Sequence, residues 1–188
     1  MPLFQYYVAA TIDGFIASAE DDLGWLLQFD AVEGVNEGIE TFMAGVGCIV
    51  MGGGTYRWLR EHEPDTWPYP GTPCWVFTHG QEAAPAGATI TFVHGEPQSF
   101  AADLVASAGG RNVWLVGGGD LVAQFASAGL LHEMIVTIAP VVLGSGKRLL
   151  PLEGPTPPLE LVSSRTVGGA MVELQYRFTN RPGGDPQA

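Results

Sequence analysis

Two glycine clusters carry most of the chemistry this 188-residue chain offers. Each follows an apolar run and precedes helix-like sequence: Ile49-Val50-Met51-Gly52-Gly53-Gly54-Thr55-Tyr56 and Val113-Trp114-Leu115-Val116-Gly117-Gly118-Gly119-Asp120-Leu121. At a strand-to-helix turn the missing Cβ atoms let a ligand approach the backbone, and the free N–H groups and dipole of the helix start attract phosphate. Thr55 adds a hydroxyl donor. Neither cluster is a Walker A loop, because no Gly-Lys-Ser/Thr follows, and Val122 stands where a G-x-G-x-x-G fingerprint needs its third glycine. Tight βα turns also favour glycine with no ligand at all. Two of them at the carboxyl ends of buried strands, where open α/β sheets bind ligands, point to a ligand with two phosphates, a dinucleotide better than a mononucleotide.

Other reactive side chains are sparse. Cys48 and Cys74 each sit inside an apolar run and read as buried, inert thiols. His62, His79, His94 and His132 have no short ligand spacing, so no metal site is expected. The densest positive charge, Lys147-Arg148, follows Gly144-Ser145-Gly146, a flexible loop that suits a substrate phosphate or carboxylate, or is a plain turn. With 20 acidic against 8 basic residues the net charge is −12, and the chain has a single lysine and no basic run. Nucleic-acid binding and a polybasic membrane anchor are therefore not expected.

These residues need a scaffold, and the hydrophobic pattern supplies one. Leu3 to Ala10, Val46 to Met51, Thr72 to Thr78, Thr89 to Val93 and Asn112 to Val116 read as strands. Helical faces are expected over Ala31 to Ala44, after Pro97, and from Leu121 to Gly129. Glu133 to Leu143 suits a central strand, and Leu159 to Val167 with Val172 to Phe178 suits a terminal hairpin around Gly168-Gly169, with Val172, Leu174, Tyr176 and Phe178 facing inward. A mixed, mostly parallel α/β sheet flanked by helices and closed by an antiparallel hairpin follows. One domain is expected over residues 1–180, with a flexible tail over 181–188. No apolar run is long enough to span a bilayer and the first residues lack a signal peptide's basic region, which makes a cytoplasmic location the expectation.

Four segments in order, Ala9 to Ala17, Val50 to Tyr56, Val116 to Leu121 and Ala139 to Gly146, resemble the dihydrofolate-reductase-like reductases. The nearest branch is the reductase (C-terminal) domain of the riboflavin-biosynthesis deaminase-reductase. The resemblance implies the three-layer fold of that family and an NADPH site, with NADH as the alternative. Backbone at Ala9 and Ile16 would hold the nicotinamide carboxamide, and Gly52, Gly53, Gly54, Thr55 and the run Val116, Gly117, Gly118, Gly119, Asp120, Leu121 would cradle the phosphates. Thr78 and His79 would lie beside the adenosine ribose. The family usually has Arg or Lys where this chain has Gly53, a cation that meets the 2′-phosphate; Arg57, Arg60 and His79 are candidate substitutes.

The resemblance also implies a substrate side. Trp25 and Asp30 lie where the folate enzymes carry a substrate-binding tryptophan and carboxylate, and are the catalytic candidates. Asp13, Gly144, Ser145 and Gly146 are assigned to substrate binding, with an Asx-type turn as the alternative for Asp13. The expected activity is NAD(P)H-dependent reduction of a small pterin-, folate- or pyrimidine-ribityl-like substrate, in a homodimer. A non-catalytic dinucleotide-binding module of the same fold is the competing expectation.

Overall fold

The computed structural model describes residues 1–29, 32 and 34–179. Apolar runs bounded by glycine, proline or helix starts become strands: β1 (Phe4–Thr11), β2 (Phe15–Ala17), β3 (Val46–Gly52), β4 (Cys74–Phe77), β5 (Ile90–Val93), β6 (Asn112–Gly117), β7 (Glu133–Ala139), β8 (Lys147–Arg148), β9 (Glu160–Val167) and β10 (Met171–Arg177). Between them lie α1 (Gly24–Leu27), α2 (Val35–Ala44), α3 (Gly53–His62), α4 (Ala101–Ser107), entered through a 3-10 turn at Pro97–Phe100, and α5 (Gly119–Ser127).

Eight strands form one sheet in the order β5-β4-β3-β6-β1-β7-β10-β9, while β2 and β8 pair separately. The first six are parallel; β10 runs antiparallel to both β7 and β9. Buried Phe4, Tyr6, Val50, Leu115, Leu104 and Phe125 pack one face under α4 and α5. Ile49, Met51, Val76, Tyr56 and Leu59 pack the other under α3, joined there by Phe42 of α2. Hydrophobic residues on both sides of the parallel strands explain why their sequences read as unbroken apolar runs. Cys48 and Cys74 are free and buried, and desolvation pushes both thiols up to about 12. No helix among the described residues is long and apolar enough to cross a membrane.

Four expectations need correction. The strand expected over Glu133 to Leu143 stops at Ala139, because Pro140 has no N–H to continue the ladder and Val142 is 70% exposed. α2 starts only at Val35, with Val32 in a bend and Gly34 at φ 88°; the expected first residue, Ala31, lies outside the described residues. The hairpin turn holds three residues, Gly168-Gly169-Ala170, with Met171 paired to Val167. The apolar side of β10 is not buried throughout, nor its polar side all exposed: Val172 is 42% exposed, whereas the Glu173 side chain is 14% exposed. The expected tail, 181–188, lies outside the described residues.

Candidate active site

The two glycine turns lie side by side because β3 and β6 are parallel neighbours, with Met51 opposite Gly117. A Cβ at Gly52 would stand 3.9 Å from both Gly117 O and Gly118 N, and the Thr55 hydroxyl lies 3.8 Å from the Cβ position of Gly117. Above them the space is open: side chains at Gly54 and Gly118 would meet nothing within 4 Å. The Gly117–Gly118 peptide is cis. α3 and α5 begin at Gly53 and Gly119, so two helix N-termini aim free N–H groups at this cleft. Asp120 is exposed in the first turn of α5, and Val116 and Leu121 flank the turn.

Position 53 is occupied without a side chain. A Cβ there would sit 2.8 Å from Thr78 Oγ1 and 3.2 Å from Arg57 Nη1. Arg57, one turn along α3, thus brings its guanidinium back beside Gly53, and donates to Glu82 Oε1 at 3.0 Å. Thr78 follows β4 and accepts the Gly80 N–H at 3.0 Å, while His79 packs against His94 with ring centroids 4.1 Å apart. Arg60 is engaged elsewhere, donating to the carbonyls of Glu63, Pro64 and Thr66. Of the three candidate cations, Arg57 is the one placed at Gly53.

The opening loop is tied to the Gly144 loop. The Asp13 carboxylate accepts the Thr11 hydroxyl at 2.6 Å and the Gly144 and Leu143 N–H groups at 2.7 and 3.1 Å. These bonds, the Thr11 hydroxyl first, hold its carboxyl down to about 2. Half-buried Ile16 sits on β2, whose pairing with β8 anchors the Lys147-Arg148 end. Ser145 is exposed, and Lys147 stands 3.8 Å from Asp21.

On the α2 face a cavity of about 200 Å³ opens beside β1. Ala9, Leu26, Phe29, Ile39 and Met171 make apolar walls, and Trp114 closes the β6 side. One row across the sheet makes its polar end: Ala9 is opposite Thr137, Thr137 opposite Glu173, and Glu173 opposite Arg165. Glu173 accepts from Arg165 Nε at 2.6 Å and Nη2 at 3.1 Å, from Tyr7 OH at 3.1 Å and from Thr137 Oγ1 at 3.4 Å. Burial, then the Glu173 charge, pushes the Tyr7 phenol up to about 12, so it stays a neutral donor. Phe42 of α2 stacks on Tyr7 at 4.7 Å and meets Trp114 edge-on, which fixes the helix over the cavity.

Trp25 of α1 is 8% exposed and packs with Ala139, Val167 and Met171, behind the cavity wall; its indole N–H has no partner among the described residues. Asp30 lies outside the described residues. Sequence reasoning missed Tyr7, Thr137, Arg165 and Glu173. A signal existed for two of them, because a turn at 168–170 sets Arg165 opposite Glu173, an opposite-charge cross-strand pair.

A mostly parallel sheet with antiparallel C-terminal strands, a glycine cradle at its strand ends and an apolar cavity one strand away is the dihydrofolate-reductase-like α/β fold, a reductase-type architecture. The chain belongs to the RibD C-terminal domain family, whose profile matches residues 2–172. It is 34% identical over 170 residues to the uncharacterized protein YwjB of Bacillus subtilis (strain 168), covering 90% of this chain and 94% of YwjB. Among solved structures, a Shewanella sp. PV-4 protein provisionally named for riboflavin biosynthesis superposes with TM-score 0.79 at 26% identity, covering 95% of this chain and 99% of that one. Dihydrofolate reductase from Enterococcus faecalis, complexed with NADP(H), shares the fold at TM-score 0.60 and 12% identity over 95% and 97% of the two chains.

Proposed function

We propose that the chain is an NAD(P)H-dependent reductase whose acceptor sits in the cavity beside Ala9. The observation that carries this reading is the pair of open glycine turns on adjacent strands, β3 and β6, with the cavity based on the next strand, β1. Gly52, Gly53, Gly54, Thr55 and Val116 to Leu121 would hold the phosphates, Thr78 and His79 the adenosine ribose, and the Ala9 and Ile16 backbone the nicotinamide carboxamide. A bound reduced nicotinamide supplies a hydride. The chain's own residues orient the acceptor against it and keep water out, which is most of what such a transfer asks of a protein.

Apolar walls suit a small flat acceptor, pterin- or folate-like or pyrimidine-ribityl-like. Trp25 backs the wall it packs on, and Asp13 sets the Gly144-Ser145-Gly146 loop at the substrate side. Free buried thiols accord with a cytoplasmic location. The test is loss of reduced-nicotinamide absorbance with a panel containing dihydrofolate and a pyrimidine-ribityl substrate. Cofactor oxidation with one of them is expected; tight cofactor binding with no acceptor anywhere in the panel favours the non-catalytic module.

A further inference from the structure

We propose that Arg165, held by Glu173, selects the acceptor, and that it takes a neutral carbonyl-type oxygen on a flat, otherwise apolar ring and discriminates against an anion. The inference rests on the reading of the cavity as the acceptor site. Its first support is saturation: Glu173 already accepts from Arg165 twice, from Tyr7 and from Thr137, so its carboxylate is not on offer to a ligand. The donors that remain belong to Arg165, whose Nη1 has no hydrogen-bond partner among the described residues. A guanidinium edge bordering apolar walls is matched by an acceptor oxygen.

The second support is Gly38 of α2. A Cβ at that position would sit 2.5 Å from Arg165 Nη2 and 3.1 Å from Tyr7 OH. Glycine inside a helix is less favourable than alanine. Here its bareness lets Arg165 Nη2 and the Tyr7 phenol lodge against the helix, so one edge of the guanidinium is set at the cavity rim while the side chain stays 46% exposed.

Charge then decides between a neutral oxygen and an anion. Arg165 faces Glu173 directly and feels exposed Glu37 on α2, while Tyr7 is a neutral phenol, so the cluster has no surplus positive charge. A ligand carboxylate would have to compete with Glu173 and leave that shielded carboxylate without its cation, which is costly. Size agrees: about 200 Å³ lies below the roughly 300–1,000 Å³ of drug-sized sites and accommodates a ring system with little else.

The test is quenching of tryptophan fluorescence, Trp114 lining the cavity, by three matched probes: quinazolin-4-one, quinazoline-4-carboxylate and 4-aminoquinazoline. Each is titrated into wild type, Arg165→Gln and Glu173→Gln, and NADPH is titrated separately into all three proteins. Wild type is expected to bind the oxo ring at least about tenfold more tightly than the other two. Arg165→Gln should erase that preference and Glu173→Gln should move it toward the carboxylate, with NADPH affinity changed less than twofold. Equal binding of the three rings by wild type, no ring binding at all, or an unaltered ranking in both variants would overturn the inference. Ring selectivity without NADPH binding would instead sink the reductase reading and leave this one standing. If either variant melts early, Arg165→Lys takes its place and is expected to retain part of the preference; an unaltered ranking in it would overturn the inference.

Discussion

At position 53 the absent side chain is a packing requirement, since Thr78 and the Arg57 guanidinium fill the space a Cβ would need. Gly53→Ala should therefore destabilise the fold by about 1–2 kcal/mol in denaturant unfolding, as overpacked sites do. The same geometry bears on cofactor choice. Arg57 is more than half exposed, so its ion pair with Glu82 adds little stability, but any 2′-phosphate must share that cation with a carboxylate 3.0 Å away. NADPH is expected to be preferred over NADH by less than about tenfold, roughly 1.4 kcal/mol. Glu82→Gln should raise NADPH affinity several-fold and leave NADH unchanged, as read by equilibrium titration. Asp13 gives a pH signature. Its folded value of about 2 lies below the ordinary 3.8, so its tie to the Gly144 loop is intact above the ordinary carboxylate range and is lost as pH falls through about 2. An NMR titration of the Asp13 carboxyl should show its midpoint there, and a midpoint near 4 would contradict the tie.

Among the elements, α2 carries the sharpest expectation. Gly38→Ala improves helix propensity by roughly 1 kcal/mol, yet it drives a methyl group into Arg165 and Tyr7, so thermal melting should show no net gain and ring affinity should fall. How far each element can be read from sequence follows from its physics. The parallel strands and their helices are legible because burial on both faces gives unbroken apolar runs that end at glycine. β2 and β8, three and two residues long, are too short to display a period and exist only through their mutual pairing. For β10, the alternation of Val172, Leu174 and Tyr176 with Glu173, Gln175 and Arg177 identifies a strand but not the burial of each side: Val172 is exposed and Glu173 covered, while Arg177 stays exposed and Phe178 packs on the core. Period-2 reasoning assumes that polar side chains seek water, whereas these seek partners on neighbouring strands: Glu173 takes Arg165 and Thr137, and Arg177 and Gln175 both donate to buried Glu133. The two glycine turns, as turns on adjacent strands, were thus readable from local motifs. The polar end of the cavity, assembled from four strands, was not.

For the molecule as a whole, a charge of −12 opposes the approach of a multiply anionic dinucleotide, so affinity for the proposed cofactor would come from backbone N–H groups, two helix N-termini and Arg57. The sheet ends at β5 on one side and at β9 on the other, and β9 is exposed over seven of its eight residues, carrying Leu161 at 53% and Val162 at 39% exposure. Such an edge invites a second strand, and a homodimer is the proposed state; sedimentation should return twice the 19.9 kDa chain mass. The most direct measurement is thermal unfolding of the full chain with increasing NADPH or NADH. Saturation at about 100 times the dissociation constant should add about 2.7 kcal/mol. For a chain of this length that corresponds to a rise in Tm of roughly 5–11 °C. A Tm that neither nucleotide moves at millimolar concentration would contradict the reductase reading.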